Sequence, residues 1–371
     1  MKQKKTKAMN YRTILITAIL LPAGLALAGQ QYSDIKTLKR SFTAGSEAIL
    51  EVTNKYGDIH VTHTDDDSVT VMVEITASSN TGDKIDALMS DVDVNIWQSG
   101  SVVRAETTFR KGITPLFESL RGLTKNLINF NSRLKIDYRI ECPPETVLSI
   151  TNRYGDVYIG DETQVLALKL SNGNLDAATV GNAQMMELTF CKANVRSISE
   201  GKLILSFSEL RTRETGKIKL TSTSSKVWID NCRSVDLDSK RDDLHFGSVD
   251  SMTGVSYFSD IITDRVTGEI NMTVKYGNLS FENVDRGFRL TDIRSAYTDI
   301  DMALEKGSAY DLEIRHANAF VSLPGFDPEP ERTEIDAEEK VFLTKASAGS
   351  GAGRSKIRID ATRGEIRLLQ K

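Results

Sequence analysis

TNKYGDIHV (Thr53–Val61) returns ninety-eight residues later as TNRYGDVYI (Thr151–Ile159). Such a near-duplicate is either two copies of a site or one structural unit used twice. With Ile59 and Val157 as a reference position, the same local pattern recurs at Leu175, Val195, Leu210, Val227, Leu244, Ile261, Leu279, Ile300 and Phe320, with an outlying copy at Ile366. The nine steps from Val157 to Phe320 average about 18 residues, and self-similarity at a fixed period marks a repeat array.

Apolar pairs sit nine and seven residues before the reference position: Leu50/Val52, Leu148/Ile150, Leu166/Leu168, Met186/Leu188, Ile218/Leu220, Val235/Leu237, Ile270/Met272 and Ile357/Ile359. Another apolar residue follows two after it in many units, as at Val61, Ile159, Ile229, Phe246, Phe281, Met302 and Leu368. Alternation with polar residues such as Ser149, Lys219 and Asp236 predicts strands with one buried face. Between the two strands a small residue precedes Asp, Asn or a similar polar residue, as in Gly57-Asp58, Gly155-Asp156, Gly173-Asn174, Gly277-Asn278 and Gly364-Glu365. Ala193-Asn194, Ser208-Glu209 and Ser225-Lys226 take that place elsewhere. This pairing predicts a bend in which the glycine supplies a positive backbone angle.

A unit this short cannot bury its own apolar face, whereas stacking it on its neighbours can. The expected fold is therefore all-β: a parallel β-solenoid with ~18-residue coils, preceded by a β-rich N-terminal region with one or two short helices. A β-sandwich is the alternative, but it calls for hairpin turns and varied strands. The expected division is a signal peptide over 1–28, a β-rich region over 29–145, repeats over 146–325, and an end over 326–371 comprising an acidic loop, a glycine-rich hinge and capping strands. Strands are predicted at SVTVMVEI (Ser68–Ile75), VDVNIW (Val92–Trp97), VVRAETTF (Val102–Phe109) and LKIDYRI (Leu134–Ile140). Leu116, Leu120, Leu123 and Leu127 stand at helical spacing, which predicts a helical insertion over about 112–130. Pro324–Glu339 reads as an acidic surface loop.

Lys2, Lys4, Lys5, Lys7 and Arg12 precede a short apolar core, Ile14–Leu21, and Ala26-Leu27-Ala28 has the small-x-small form of a cleavage site. The reading is an exported protein cleaved after Ala28, with a retained N-terminal anchor as the alternative. No transmembrane span is expected in the mature chain, because the apolar core falls short of the ~20 residues a span needs. Without the leader, 42 Lys and Arg face 51 Asp and Glu, a net charge of about −9. That balance argues against a nucleic-acid partner.

The opening LEVTNKYGDIHV (Leu50–Val61), the central IDYRIECPPETVLSITNRYGDVYI (Ile136–Ile159), the serial repeats and the glycine-rich run before KIRIDATRGEIRL (Lys356–Leu368) together resemble the putative-adhesin family of exported bacterial β-strand-repeat proteins, a domain of unknown function. The resemblance covers most of the chain after the leader. It implies a cell-envelope or surface location, in the periplasm, on the outer-membrane face or on the cell surface, and an adhesive role. The insertion over Leu116–Phe130 departs from the family pattern.

The motifs of chemistry are missing. His60, His63, His245 and His316 lack the spacing of a metal motif and read as solvated surface residues. Cys142, Cys191 and Cys232 form no C-x-x-C and read as buried or incidental thiols rather than a disulfide framework. Asp65-Asp66-Asp67 and Asp242-Asp243 are expected at turns, without the spaced ligands of a calcium loop. Gly349, Gly351 and Gly353 do not fit a phosphate-binding loop. Tyr56, Tyr154, Tyr276 and Tyr297 share the inward phase and are expected to pack at corners rather than offer sugar-stacking surfaces. Outward Asp236, Asp238, Asp243, Asp299 and Asp301 leave a polysaccharide lyase or hydrolase as the enzymatic alternative.

No catalytic, cofactor or metal residue is assigned. The expected function is a non-catalytic binding or structural module of the cell envelope. Its expected partners are a surface polysaccharide or an envelope protein. A periplasmic scaffold or sensor in envelope signalling is the alternative.

Overall fold

The computed structural model describes residues 32–45, 47–110, 132–326, 329–349 and 355–371. The leader, the insertion over 112–130, and Gly351 and Gly353 lie outside the described residues. The described residues are almost entirely β, in one sheet of 21 strands whose pairings are mostly parallel.

It opens with β1 (Tyr32–Thr43), β2 (Ile49–Lys55), β3 (Ile59–His63) and β4 (Ser68–Ser79). The helix α1 (Gly82–Asp91) follows, with Ile85 and Leu88 three apart and buried against Ala77 of β4. Then come β5 (Val92–Ser99), β6 (Val102–Phe109) and β7 (Ser132–Cys142). The regular part runs through β8 (Val147–Arg153), β9 (Val157–Ile159), β10 (Thr163–Ser171), β11 (Asn174–Thr189), β12 (Lys192–Ser206), β13 (Glu209–Thr223), β14 (Lys226–Lys240), β15 (Asp243–Tyr257), β16 (Asp260–Val284) and β17 (Leu290–Leu304). The end comprises β18 (Tyr310–Ser322), β19 (Glu331–Asp336), β20 (Val341–Ala348) and β21 (Ser355–Gln370). The sequence expectations do not include β1; α1 is a short helix within the N-terminal region, where one or two were expected, but it falls at residues to which no helix was assigned. The expected acidic loop over Pro324–Glu339 contains β19, whose residues are all exposed and which pairs antiparallel with β20.

In the regular part β8 lies parallel on β10 and β9 on β11, and from β10 to β17 each strand lies parallel on the next. Leu210 pairs with Val227, Val227 with Leu244 and Leu244 with Ile261, an offset of 17 residues. Side chains alternate in and out along each strand, so Leu203, Leu220 and Leu237 stack as a buried column while Lys219 and Asp236 pair outside at 3.2 Å. Each fully buried Leu or Ile contributes about 1.5–3 kcal/mol. The inward columns run the length of the sheet and merge into one core.

At both ends, stacking order departs from chain order. The β2–β3 level lies between β8–β9 on one side and β6–β7 on the other. At the far end β21 is inserted between β17 and β18, parallel to both: Ile366 pairs with Ile300 and with Val321. The outlying copy in the sequence is thus an interior level. Antiparallel strands cover the ends, β4 and β1 beside β7, β5 beside β6, and β20 and β19 beside β18.

Two of the expected reference positions move. Ala193, not Val195, pairs with Leu175 and Leu210. An offset of two keeps a side chain on the same face, so alternation alone cannot expose the error. In the outermost level Val321 takes the place expected for Phe320, which is 65% exposed. An offset of one turns the side chain to the other face.

The bend is also built differently from expectation. The residue before the small one adopts the left-handed conformation: Tyr56 (φ 69°), Tyr154 (φ 60°), Phe190 (φ 55°), Phe207 (φ 50°), Phe258 (φ 57°), Tyr276 (φ 58°) and Tyr297 (φ 54°). Gly57 and Gly155 serve close stacking instead. A Cβ on Gly57 would stand 1.9 Å from the Ile136 carbonyl oxygen, and one on Gly155 1.9 Å from that of Gly57. Where the small residue is not glycine, its side chain knits neighbouring levels together. The amide of Cys191 donates to Ser208 Oγ, that of Ser208 to Ser225 Oγ, that of Ser225 to Asp242 Oδ1, and that of Asp242 to Ser259 Oγ, at 2.8–3.1 Å.

Candidate surface trough and corner ridge

Two outward features are made by columns of residues that sequence reading did not align. The first is the column just after the reference position: His60, Tyr158, Asp176, Asn194, Arg211, Trp228 and His245 occupy successive levels. Tyr158 through Trp228 edge an open trough of about 610 Å³. That volume is ordinary for a ligand site. Gly160, Ala178, Arg196, Arg213 and Asp230 line its other side, with Ile159, Ala177 and Thr212 also in the lining.

The two aromatic residues close its ends. The Tyr158 ring stacks on His60, with centroids 4.5 Å apart and planes 13° apart. His60 covers one face from the level below, so the other face is turned along the stack into the trough. The Tyr158 hydroxyl donates to Asp156 at 3.1 Å, which holds the ring. At the far end the Arg211 guanidinium lies 4.4 Å from the Trp228 centroid and also bonds Glu209 at 3.0 Å. From Tyr158 to Arg211 is three strand steps, or ~14 Å at ~4.8 Å per step.

Arg196 and Arg213 stand at matching positions of adjacent levels, between the pairs Val195–Thr212 and Ser197–Glu214. Both are exposed. Outside the trough, many outward charges pair between levels, as in Lys169–Glu187 at 3.1 Å, Lys226–Asp243 at 3.4 Å and Arg315–Asp360 at 3.2 Å. Among the described residues, neither Arg196 nor Arg213 has a carboxylate within ion-pair distance.

The second feature is the corner itself. The expectation that its tyrosines pack inward holds for Tyr56, which is 5% exposed, but not for Tyr276 and Tyr297, each 45% exposed. All three share the left-handed backbone, so strand phase does not decide their burial; Tyr56 is covered by Phe109 and Tyr154, with ring centroids 5.6 Å away in each case. Phe190 stacks on Phe207 with centroids 5.0 Å apart, Phe258 on Tyr276 at 4.8 Å, and Tyr276 on Tyr297 at 5.1 Å. Tyr276 is stacked on both faces and the Arg363 guanidinium lies 4.9 Å from the Tyr297 centroid, whereas Phe190, Phe207 and Phe258 each have one face against a ring. Each stacked pair returns about 0.5–1.5 kcal/mol against a left-handed cost of about 1–3 kcal/mol per residue.

The remaining candidates separate. Asp242 is buried and accepts from Ser239 Oγ at 2.7 Å, the Lys240 amide at 2.9 Å and the Ser225 amide at 2.8 Å. Burial nevertheless pushes its carboxyl above the ordinary value. Asp243 pairs with Lys226, Asp236 with Lys219 and Asp301 with Arg367. Asp65, Asp66 and Asp67 lie at the bend between β3 and β4.

The histidines do not all meet solvent. His60 is exposed, whereas His245 is half-buried and lies 3.0 Å from Asp264. His316 is 1% exposed and bonded to Thr344 Oγ1 at 3.2 Å, because its chain position falls in an inward column beside Ala361. His63 is half-buried. Cys142, Cys191 and Cys232 are buried free thiols, and burial pushes Cys142 up to about 11. Among the described residues no cluster of three His, Cys, Asp or Glu side chains could hold a metal, and no helix is long and apolar enough to cross a membrane.

No family model matches the chain, and no curated protein does so. Solved structures do. A "putative cell adhesion protein" of Clostridium sporogenes is 10% identical, with 92% of this chain and 100% of that one covered, at a TM-score of 0.20. A "putative adhesin" of Bacteroides fragilis is 13% identical over 90% and 97%, at 0.26. A "putative lipid binding protein" of Parabacteroides distasonis is 8% identical over 72% and 92%, at 0.27. At these identities and TM-scores the likeness lends no weight to one function over another.

Proposed function

We propose that the chain is an exported β-solenoid of the cell envelope or surface that binds an extended glycan without turning it over, in the manner of an adhesin. The observation that carries this reading is the trough across successive levels, bounded by the Tyr158 ring and the Arg211–Trp228 pair. An open channel along a rigid stack suits a polymer lying along the axis. Polar side chains between aromatic ends are the usual furniture of a binding site.

The non-catalytic part of the proposal rests on the use to which the carboxylates are put. Asp242 is tied into corner hydrogen bonds, and Asp236, Asp243 and Asp301 pair with cations. A hydrolase needs two carboxyl groups facing one scissile bond.

Binding to a panel of acidic and neutral polysaccharides tests the reading, with fractionation and surface protease shaving to place the protein. Retention of at least one polymer, weakened severalfold by Tyr158→Ala, is the expected result. Release of reducing or unsaturated ends, lost on changing Asp242 and Asp243 to Asn, overturns it. So does a protein confined to the cytoplasm.

A further inference from the structure

We infer that the trough takes a glycan carrying carboxylate groups, a uronate-bearing chain, and that Arg196 and Arg213 are the residues that read the acid. The inference rests on the glycan-binding proposal and adds the charge of the ligand.

The argument begins with two cations in adjacent levels. Like charges side by side across a strand pair are destabilising. Arg196 and Arg213 stand in this relation on β12 and β13, and no carboxylate lies within ion-pair distance of either among the described residues. Arg211, on the opposite edge of the trough one level from Asn194, is held by Glu209 and by the Trp228 ring. Three guanidinium groups thus border one trough, two of them unoccupied. A guanidinium fork matches a carboxylate in two parallel hydrogen bonds, so an anion between Arg196 and Arg213 both relieves their repulsion and satisfies their donors.

The rest of the trough says why the anion is borne by a sugar. The free face of Tyr158 is a platform for the apolar face of a pyranose ring. The side of the trough facing it is small, Gly160 and Ala178, which leaves room for a ring to lie close. From Tyr158 the chain would cross the level of Asp176, pass over Asn194, whose amide offers both a donor and an acceptor, and reach the arginines within the ~14 Å between the end walls. Asp176, on the level between Tyr158 and Asn194, and Asp230, one level beyond Arg213, disfavour a ligand carrying dense negative charge along its whole length. The exposed apolar ridge at Phe190–Phe207 and Phe258–Tyr297 lies at the corner, outside the residues that line the trough, and plays no part in this site.

The test uses hyaluronan oligosaccharides, whose only anion is the uronate carboxylate, beside the same polymer with its carboxyl groups reduced to alcohols. The full chain is titrated calorimetrically with both, as wild type, as Arg196→Gln with Arg213→Gln, and as a control with Lys202→Gln and Lys219→Gln. The acid form is expected to bind about tenfold or more tightly than the reduced form, and the arginine double variant to abolish that difference. The control should stay within about twofold of wild type, since it removes equal charge from another face. Circular dichroism and melting keep misfolding apart from lost binding.

Equal binding of acid and reduced polymers, unaffected by the arginine variant, overturns this inference and leaves glycan binding standing. No binding to these or to any neutral polymer of the panel overturns both. Arginine-dependent capture of phosphatidylglycerol vesicles in place of hyaluronan overturns the sugar assignment and makes the anion a lipid phosphate.

Discussion

The middle of the stack and its two ends use the same pair of strands and join them in opposite ways. From β11 to β16 each level lies on the next one in sequence, with partners 17 or 18 residues apart. At the ends the partners are 53 and 98 residues apart on one side and 45 and 66 on the other. The middle can therefore assemble by local zipping, whereas each end must close long loops first, a slower and entropically costlier step. The difference teaches what an end of a parallel stack requires. An open parallel edge invites pairing with another chain, and here each end is turned back on itself, covered by antiparallel strands and closed with segments from elsewhere in the sequence.

The comparison breaks most visibly under a buried charge. Leu220→Asp places a carboxylate in a fully buried column between Leu203 and Leu237. It is expected to cost about 4 kcal/mol or more, while Lys219→Asp on the adjacent outward position costs about 1 kcal/mol or less. Equal melting temperatures for the two variants would show that the inward columns do not carry the stability. The same insult at the end, Ile359→Asp between Ile293 and Ile314, should act locally. In a stack of nearest-neighbour contacts, hydrogen exchange should quicken in β18, β20 and β21 and stay slow from β11 to β15. Loss of protection throughout would mean that ends and middle are one cooperative unit.

The same contrast governs what was legible beforehand. The middle is written in the chain: alternation at Ile218 and Leu220 sets the strands, and the short period sets their neighbours. The ends are not, because β21 carries the same pattern as every other level and nothing in KIRIDATRGEIRL specifies that it lies between β17 and β18. The corner misled for a local reason. Gly57 looks like the residue with the unusual backbone angle, yet Tyr56 has it, and Gly57 is needed for the carbonyl stacked upon it. The trough was invisible because Tyr158, Asn194, Arg211 and Trp228 become neighbours only when the levels are aligned, and the shift from Val195 to Ala193 displaced that alignment by two residues.

Acid should soften the end first. Burial of His316 pushes its imidazole below the ordinary value, with Arg332 acting in the same direction. A group depressed on folding contributes stability above its unfolded pKa, about 6.5, and loses it as the pH falls through the folded value. Amide exchange in β18 and β20 should accordingly accelerate between pH 7.5 and pH 5 relative to β12–β15. His316→Ala, which installs the residue type of its stacked neighbour Ala361, should remove that acceleration. A pH-independent ratio in the wild type would show that His316 charges without cost.

In the middle the sign reverses, and the expected effect is the smallest. Asp242 occupies the corner position that Ser208, Ser225 and Ser259 hold in other levels, and burial raises its carboxyl above the ordinary value despite its hydrogen bonds. A raised carboxyl favours the protonated folded state, so its contribution is full below the unfolded pKa of about 4 and is lost as the pH rises through the folded value. At neutral pH the chain bears the cost of a buried charge. Asp242→Ser keeps an oxygen for the Ser225 amide and a hydroxyl for the neighbouring carbonyl, as Ser225 bonds the Thr223 carbonyl at 2.9 Å. It should therefore stabilise the stack by about 0.5–1 kcal/mol at pH 7, with the gain shrinking as the pH approaches 4. Thermal melts of the two proteins at several pH values decide it. A loss of stability at pH 7 would show that the three hydrogen bonds to the carboxylate outweigh its burial, and that the aspartate is the better corner.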